Sequence, residues 1–214
     1  MRLLPSLLFV ALLTSCSVQA TLTLASGANQ VDAAFTLSPA ARLAWTNLRD
    51  LDPTLPADPF DPALLRGLGD RAAVSATTKG GTASFVIDST TGILPDLNAS
   101  GWELLLDRAA VRRMANLTSW AASPALDSLL PSPGTKITES DYRDLLAYLL
   151  GPGTAEAAAK VLIDQSTVQV TVVTPRPIQS APGAVSVEGR QAVYRWPLVR
   201  VLTLETPIRL TLKF

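Results

Sequence analysis

The sequence predicts an α+β fold, with a mainly antiparallel sheet built from N-terminal hairpins and C-terminal strands and helices packed on one face. Three observations predict it. Residues 17–37 and most of residues 168–214 alternate apolar with polar side chains, the period of half-buried strands. A block at about 107–165 instead spaces its apolar residues three and four apart, the period of helices that bury one side. Proline and glycine clusters punctuate both kinds of segment. Strands at the two ends of a chain with helices between them suit one sheet covered on one side.

The chain opens with Arg2 and an apolar run from Leu3 to Leu13, interrupted only by Pro5 and Ser6. A transmembrane helix needs about 20 apolar residues, so this run is too short to span a bilayer and has the length of a secretory-signal core. Leu13-Thr14-Ser15-Cys16 follows, a leucine, two small hydroxyl residues and a cysteine. This stretch resembles the lipobox of bacterial lipoproteins. The resemblance implies cleavage before Cys16, a diacylglyceryl group on its sulfur and an acyl chain such as palmitate on the new amino terminus. Each buried methylene adds about 0.8 kcal/mol of membrane affinity, so two or three chains hold a protein stably. Cys16 is the only cysteine, so no intramolecular disulfide competes for it. Ser17 stands where an Asp would argue for inner-membrane retention, which makes the outer membrane the expected address in a two-membrane envelope. The expected organisation is a signal peptide, residues 1–15, and one ectodomain, residues 16–214, with a helical insertion at about 96–165.

Composition narrows the functions. The 18 basic residues include Arg2, so a cut before Cys16 leaves 17 against 18 acidic ones, a formal charge of minus one. Near neutrality argues against a nucleic-acid partner, which requires a concentrated basic surface. There is no histidine. Its absence removes the Ser-His-Asp and Cys-His nucleophile systems and most catalytic zinc sites, all of which use imidazole. No Gly-x-Ser-x-Gly elbow, phosphate loop or dinucleotide fingerprint occurs, and no cofactor is expected.

Taken in order, Val18, Ala20, Leu22 and Leu24 share one parity, Ser26-Gly27-Ala28-Asn29 supplies a turn, and Val31, Ala33, Phe35 and Leu37 return. This is a hairpin. Ser38-Pro39 opens a helix, with Ala41, Trp45, Leu48 and Leu51 along one side. Four prolines between residues 50 and 62 bar regular structure. Asp50, Asp52, Asp58 and Asp61 offer oxygen ligands there but lack the glycine and terminal Glu of a calcium-binding EF-hand loop, so no metal is expected. Asp61-Pro62 reads as the cap of a short helix through Leu64, Leu65 and Leu68. Lys79-Gly80-Gly81-Thr82 reads as the turn between strands at 74–78 and 83–88.

Residues 102–106 are too few for periodicity to choose between strand and helix. From Asp107 a helix is expected, with Val111, Met114, Leu117 and Thr118 on one side and Arg108, Arg112 and Arg113 largely away from it, as a solvated basic face or against anionic headgroups. Thr138 with Asp141 resembles a capping box, followed by the stripe Tyr142, Leu145, Leu146 and Leu149. Gly151-Pro152-Gly153 ends that helix, and Thr154 caps a second through Ala157, Ala158, Val161 and Leu162. Val168, Val170 and Val172 then mark a strand, Val185 to Tyr194 a hairpin around Gly189, and Leu202 to Phe214 an alternating run with a bend at Pro207.

Residues 166–214 carry a second resemblance. Val168-Gln169-Val170-Thr171-Val172, Pro175, Gly183-Ala184-Val185, Gly189 and Tyr194-Arg195-Trp196-Pro197-Leu198 are similar to the closing strands of the LppM-like domain of bacterial lipoproteins. The opening is similar too, with an alternating strand directly after the lipidated cysteine. This chain departs from that pattern by its helical block and by ending on a strand. The resemblance implies an envelope-anchored α+β ectodomain and assigns no catalytic residue.

Three functions compete. The first is a non-enzymatic lipoprotein that binds a lipid-like or apolar ligand between sheet and helices, with Trp102, Met114, Trp120, Leu146 and Tyr148 as wall residues, each of which ordinary core packing would also explain. The second is an assembly module docking another envelope protein through its helical hairpin or Pro-rich loops. The third is a carboxylate hydrolase drawing on Glu103, Asp107, Glu139 and Asp144, which form no recognisable spaced pair.

Overall fold

The computed structural model describes residues 15–37, 39–55, 57, 73–77, 80–88, 97–98, 101–115, 131–132, 134–150 and 156–214. Their order is β1 (Ser15–Thr23), β2 (Ala28–Leu37), α1 (Pro39–Leu51), β3 (Ala73–Thr77), β4 (Gly80–Asp88), β5 (Gly101–Leu106), α2 (Arg108–Ala115), α3 (Glu139–Leu150), α4 (Glu156–Gln165), β6 (Thr167–Val173), β7 (Ser186–Glu188), β8 (Gln191–Pro197), α5 (Leu198–Thr203) and β9 (Ile208–Lys213). The fold is α+β. The expected helix at 64–68, the cap residues Ser38 and Thr154, and Trp120 lie outside the described residues.

Seven strands form one sheet in the order β3-β4-β2-β1-β6-β8-β7. Every pairing in it is antiparallel except the central one, β1 with β6. The register keeps the apolar parities in phase: Val18 lies opposite Phe35 on one side and Val168 on the other, and Leu22 lies opposite Val31 and Val172. A slip of one residue would turn a strand's apolar set toward water, so burial itself fixes this alignment. The resulting face is sealed by Trp45 of α1, by Tyr142, Leu146 and Ala147 of α3, and by Ala159 and Ile163 of α4, all in one buried cluster.

The local signals explain the helix ends. Thr138 Oγ1 accepts from the Asp141 backbone N–H at 3.1 Å while Asp141 Oδ2 accepts from the Thr138 N–H at 3.1 Å, a complete capping box. Asp107 Oδ1 accepts from the Ala110 N–H at 2.6 Å and starts α2 in the same manner.

Three expectations change. Residues 101–106, for which periodicity left strand and helix open, are a strand paired with β9 in a separate two-stranded sheet, so the C-terminal strand does not extend the large one as expected. The run from Leu202 is not continuous strand: Leu198–Thr203 is the helix α5, with Leu198, Val199, Val201, Leu202 and Thr203 all buried, and Leu204 turns the chain with a φ of 44° before β9 begins. Gly80, Gly81 and Thr82 belong to β4, not to the turn. Gly81 is small because a Cβ there would lie 2.5 Å from both the Phe35 ring and the Ser75 carbonyl oxygen.

Candidate functional site

Cys16 sits in β1, the fourth of the seven strands. Ser15 pairs with Leu37 and Ser17 with Thr36, so Cys16 is the extra residue of a bulge. Parallel pairing to β6 starts at Ser17 with Thr167. A chain beginning at Cys16 therefore loses one cross-strand pair, Ser15 with Leu37, and keeps the rest of the central ladder.

The two faces of the large sheet differ in chemistry. On the open face, the row Gln19, Ala34, Thr82, Ser75 and the row Thr21, Asp32, Ser84, Ala73 run across β1, β2, β4 and β3. The alanines interrupt longer side chains and leave a shallow groove of about 500 Å³. Gln30 Nε2 donates to Asp32 Oδ1 at 3.1 Å and to Ser84 Oγ at 2.7 Å, which fixes the carboxylate at the groove's edge. The groove presents hydroxyls, amides and one carboxylate. It can form hydrogen bonds with a ligand, and among the described residues lining it no second carboxylate or imidazole pairs with Asp32 for acid-base chemistry. Alternation in the first hairpin sets Gln19, Thr21, Asp32 and Ala34 opposite its apolar parity, whereas Thr82 reads as a turn residue in the sequence; assembling the rows required the strand order, which alternation does not contain.

The expected ligand-wall residues separate. Trp102, 2% exposed, and Leu146, 6% exposed, both join the buried cluster. Tyr148 is 62% exposed on α3, away from that cluster. Met114 lies on α2, and its side chain is outside the description, as is Trp120 altogether. Two of the five thus belong to the buried core.

Three of the four carboxylates named for hydrolysis have separate structural partners, and Glu139 is engaged through its backbone. Glu103 pairs with Arg209, Asp107 caps α2, and Asp144 accepts from Lys160 Nζ at 3.0 Å. The Glu139 backbone N–H donates to Glu205 at 2.9 Å. Asp52 uses one oxygen to accept from the backbone N–H and hydroxyl of Thr54, at 3.1 and 2.5 Å, as a turn does. Among the described residues no three His, Cys, Asp or Glu side chains are grouped for a metal ion.

Perturbed titrations follow packing. Burial pushes the Tyr142 phenol well above its ordinary value, and burial raises Tyr194 as well. The Thr138 hydroxyl, followed by the Thr138 backbone N–H, lowers Asp141. Hydrogen bonds from Lys160 to Asp144 and Glu156 raise that lysine. None of these four groups lines the groove.

Arg108 went unrecognised as a structural node. Its Nε donates to the Thr203 carbonyl and Nη2 to that of Ile137, each at 2.7 Å, and Nη1 reaches the Thr135 carbonyl. One guanidinium thus ties α2 to the end of α5 and to the segment entering α3, and no short sequence motif announces it. No described helix is long and apolar enough to cross a membrane. Comparison with protein-family models, characterised proteins and solved structures returned no match.

Proposed function

We propose that this protein is a non-enzymatic envelope lipoprotein, attached to a membrane through acylated Cys16, with the outer membrane its address where two membranes exist. The observation that carries the reading is Leu13-Thr14-Ser15-Cys16 at the end of a short apolar run, with the sole cysteine of the chain in last place. The pairing that resumes at Ser17 supports it, because cleavage before Cys16 costs the sheet one cross-strand pair. Cys16→Ser should release the protein from membranes and abolish incorporation of labelled fatty acid. Unchanged fractionation would remove the anchor from the account.

The ectodomain then acts by binding. For a lipid-like or apolar ligand held between sheet and helices, Trp102 and Leu146 remain the wall candidates; lipid recovered with the protein on native extraction would support this. Exposed Leu145 and Tyr148 on α3 and Val161 on α4 favour the alternative, docking of another envelope protein on the helical hairpin. Photocrosslinking from position 148 distinguishes the two, since a stoichiometric protein adduct is expected only for docking.

A further inference from the structure

We infer that the ectodomain stands on its bilayer by one end of the large sheet, its strands running away from the lipid instead of along it. This rests on the lipoprotein reading above and adds the surface that meets the membrane.

The argument starts from topology. β1 begins at Cys16's end of the sheet; β2 ends there with Leu37, β3 ends there with Thr77, and β4 starts there with Gly80. β6 starts at that end with Thr167, because it is parallel to β1, and β8 finishes there at Pro197. Six strand ends therefore share a rim with the anchor. Cross-strand pairing begins one residue after Cys16, and one residue of extended chain reaches at most about 3.6 Å. Because β1 is the middle strand, with neighbours about 4.8 Å apart, the anchor draws strand ends on both sides toward the lipid together.

The chemistry of the two rims agrees. The strand ends at the anchor rim are Ser17, Leu37, Thr77, Gly80, Thr167 and Pro197, with no charge among them; Lys79, between Thr77 and Gly80 in the sequence, lies outside the described residues. The strand ends of the opposite rim include two charges, Asp88 of β4 and Glu188 of β7. Uncharged hydroxyl, glycine and proline residues lose less on approaching headgroups than charged ones, whose desolvation is costly. Lying flat would instead press against lipid either the Gln, Thr and Asp side chains of the open face or the helical layer, whose exposed Leu145, Tyr148 and Val161 stand among the ion pairs Arg143–Asp164, Lys160–Asp144 and Lys160–Glu156. Standing orientation leaves the groove facing sideways, accessible from the aqueous phase.

The test uses the full lipidated protein, whose Cys16 sulfur is a thioether and does not react with maleimides. Single cysteines at Thr36→Cys and Pro197→Cys mark the anchor rim; Ser26→Cys and Glu188→Cys mark the far rim, about 20 Å away along β1. All four native side chains are exposed, and two labels per rim guard against one variant that fails to fold. Each is labelled with a small fluorophore and bound to phosphatidylcholine vesicles containing a headgroup-quencher lipid. The expected result is loss of most fluorescence at positions 36 and 197 and none at 26 and 188. Equal quenching at all four, or quenching at the far rim alone, overturns the orientation while leaving the anchor intact. Absence of acyl mass on Cys16 overturns the lipoprotein reading, and the orientation with it.

Discussion

The two faces of the seven-stranded sheet are made by the same strands, yet they carry different burdens. On the covered face Val18, Leu22, Phe35, Val168, Val172 and Tyr194 are buried under helices. On the open face Gln19, Asp32, Ala34, Thr82 and Arg195 are exposed, with few apolar atoms to protect. The difference teaches that stability is held on one parity of each strand, which leaves the other free to change or to bind. Substitutions one residue apart should therefore have very different effects.

The largest effect is expected on the covered face. Phe35→Ala removes a buried ring from the covered face and should destabilise the fold by about 3–5 kcal/mol in denaturant unfolding. Its neighbour Ala34→Ser, on the open face, should stay within about 0.5 kcal/mol. Comparable losses at the two positions would break the comparison. Gly81→Ala tests the same face from the opposite strand: the new methyl would meet the Phe35 ring, and crowding of this kind costs about 1–3 kcal/mol. A gain in stability there would mean that both the Phe35 ring and the β3 backbone at Ser75 yield freely.

A pH titration sharpens the same contrast, because the covered face contains the phenol whose ionisation burial opposes. Tyr142 has its folded-state value raised above the unfolded one near 10, so its contribution is complete below about pH 10 and is lost as pH rises further. Alkaline unfolding should begin above that point, and Tyr142→Phe should flatten it. An unchanged alkaline limb in the phenylalanine variant would assign the effect elsewhere. The smallest effect concerns the helical layer: Thr138→Ala deletes one half of the capping box and should cost about 1 kcal/mol, with fraying of α3 seen as faster amide exchange at Asp141.

Local patterns in the chain announced much of this architecture. Alternation located β1, β2, β6 and β8, and the Thr138–Asp141 spacing located the start of α3, because these features are decided by neighbours within a few residues. Pairing partners were not legible. The union of β5 with β9 joins segments about a hundred residues apart, and the parallel contact of β1 with β6 spans most of the chain; periodicity encodes which side of a strand is buried, not who lies beside it. Gly81 misled for a related reason, since glycine signals a turn locally but is required here by a ring from another strand. Of the candidate site, Cys16 was legible as a motif and its place in a bulge of the central strand was not. The groove could not be assembled without the strand order, and the exposure of Tyr148 depends on which side of α3 the sheet covers.

The central claim is the anchor, and mass spectrometry of the amino-terminal peptide of protein extracted from native membranes tests it most directly. The account predicts a peptide that begins at Cys16, carries diacylglyceryl on the sulfur and has an acylated amino group. A peptide that retains residues before Cys16, or that begins there without any acyl mass, would contradict it.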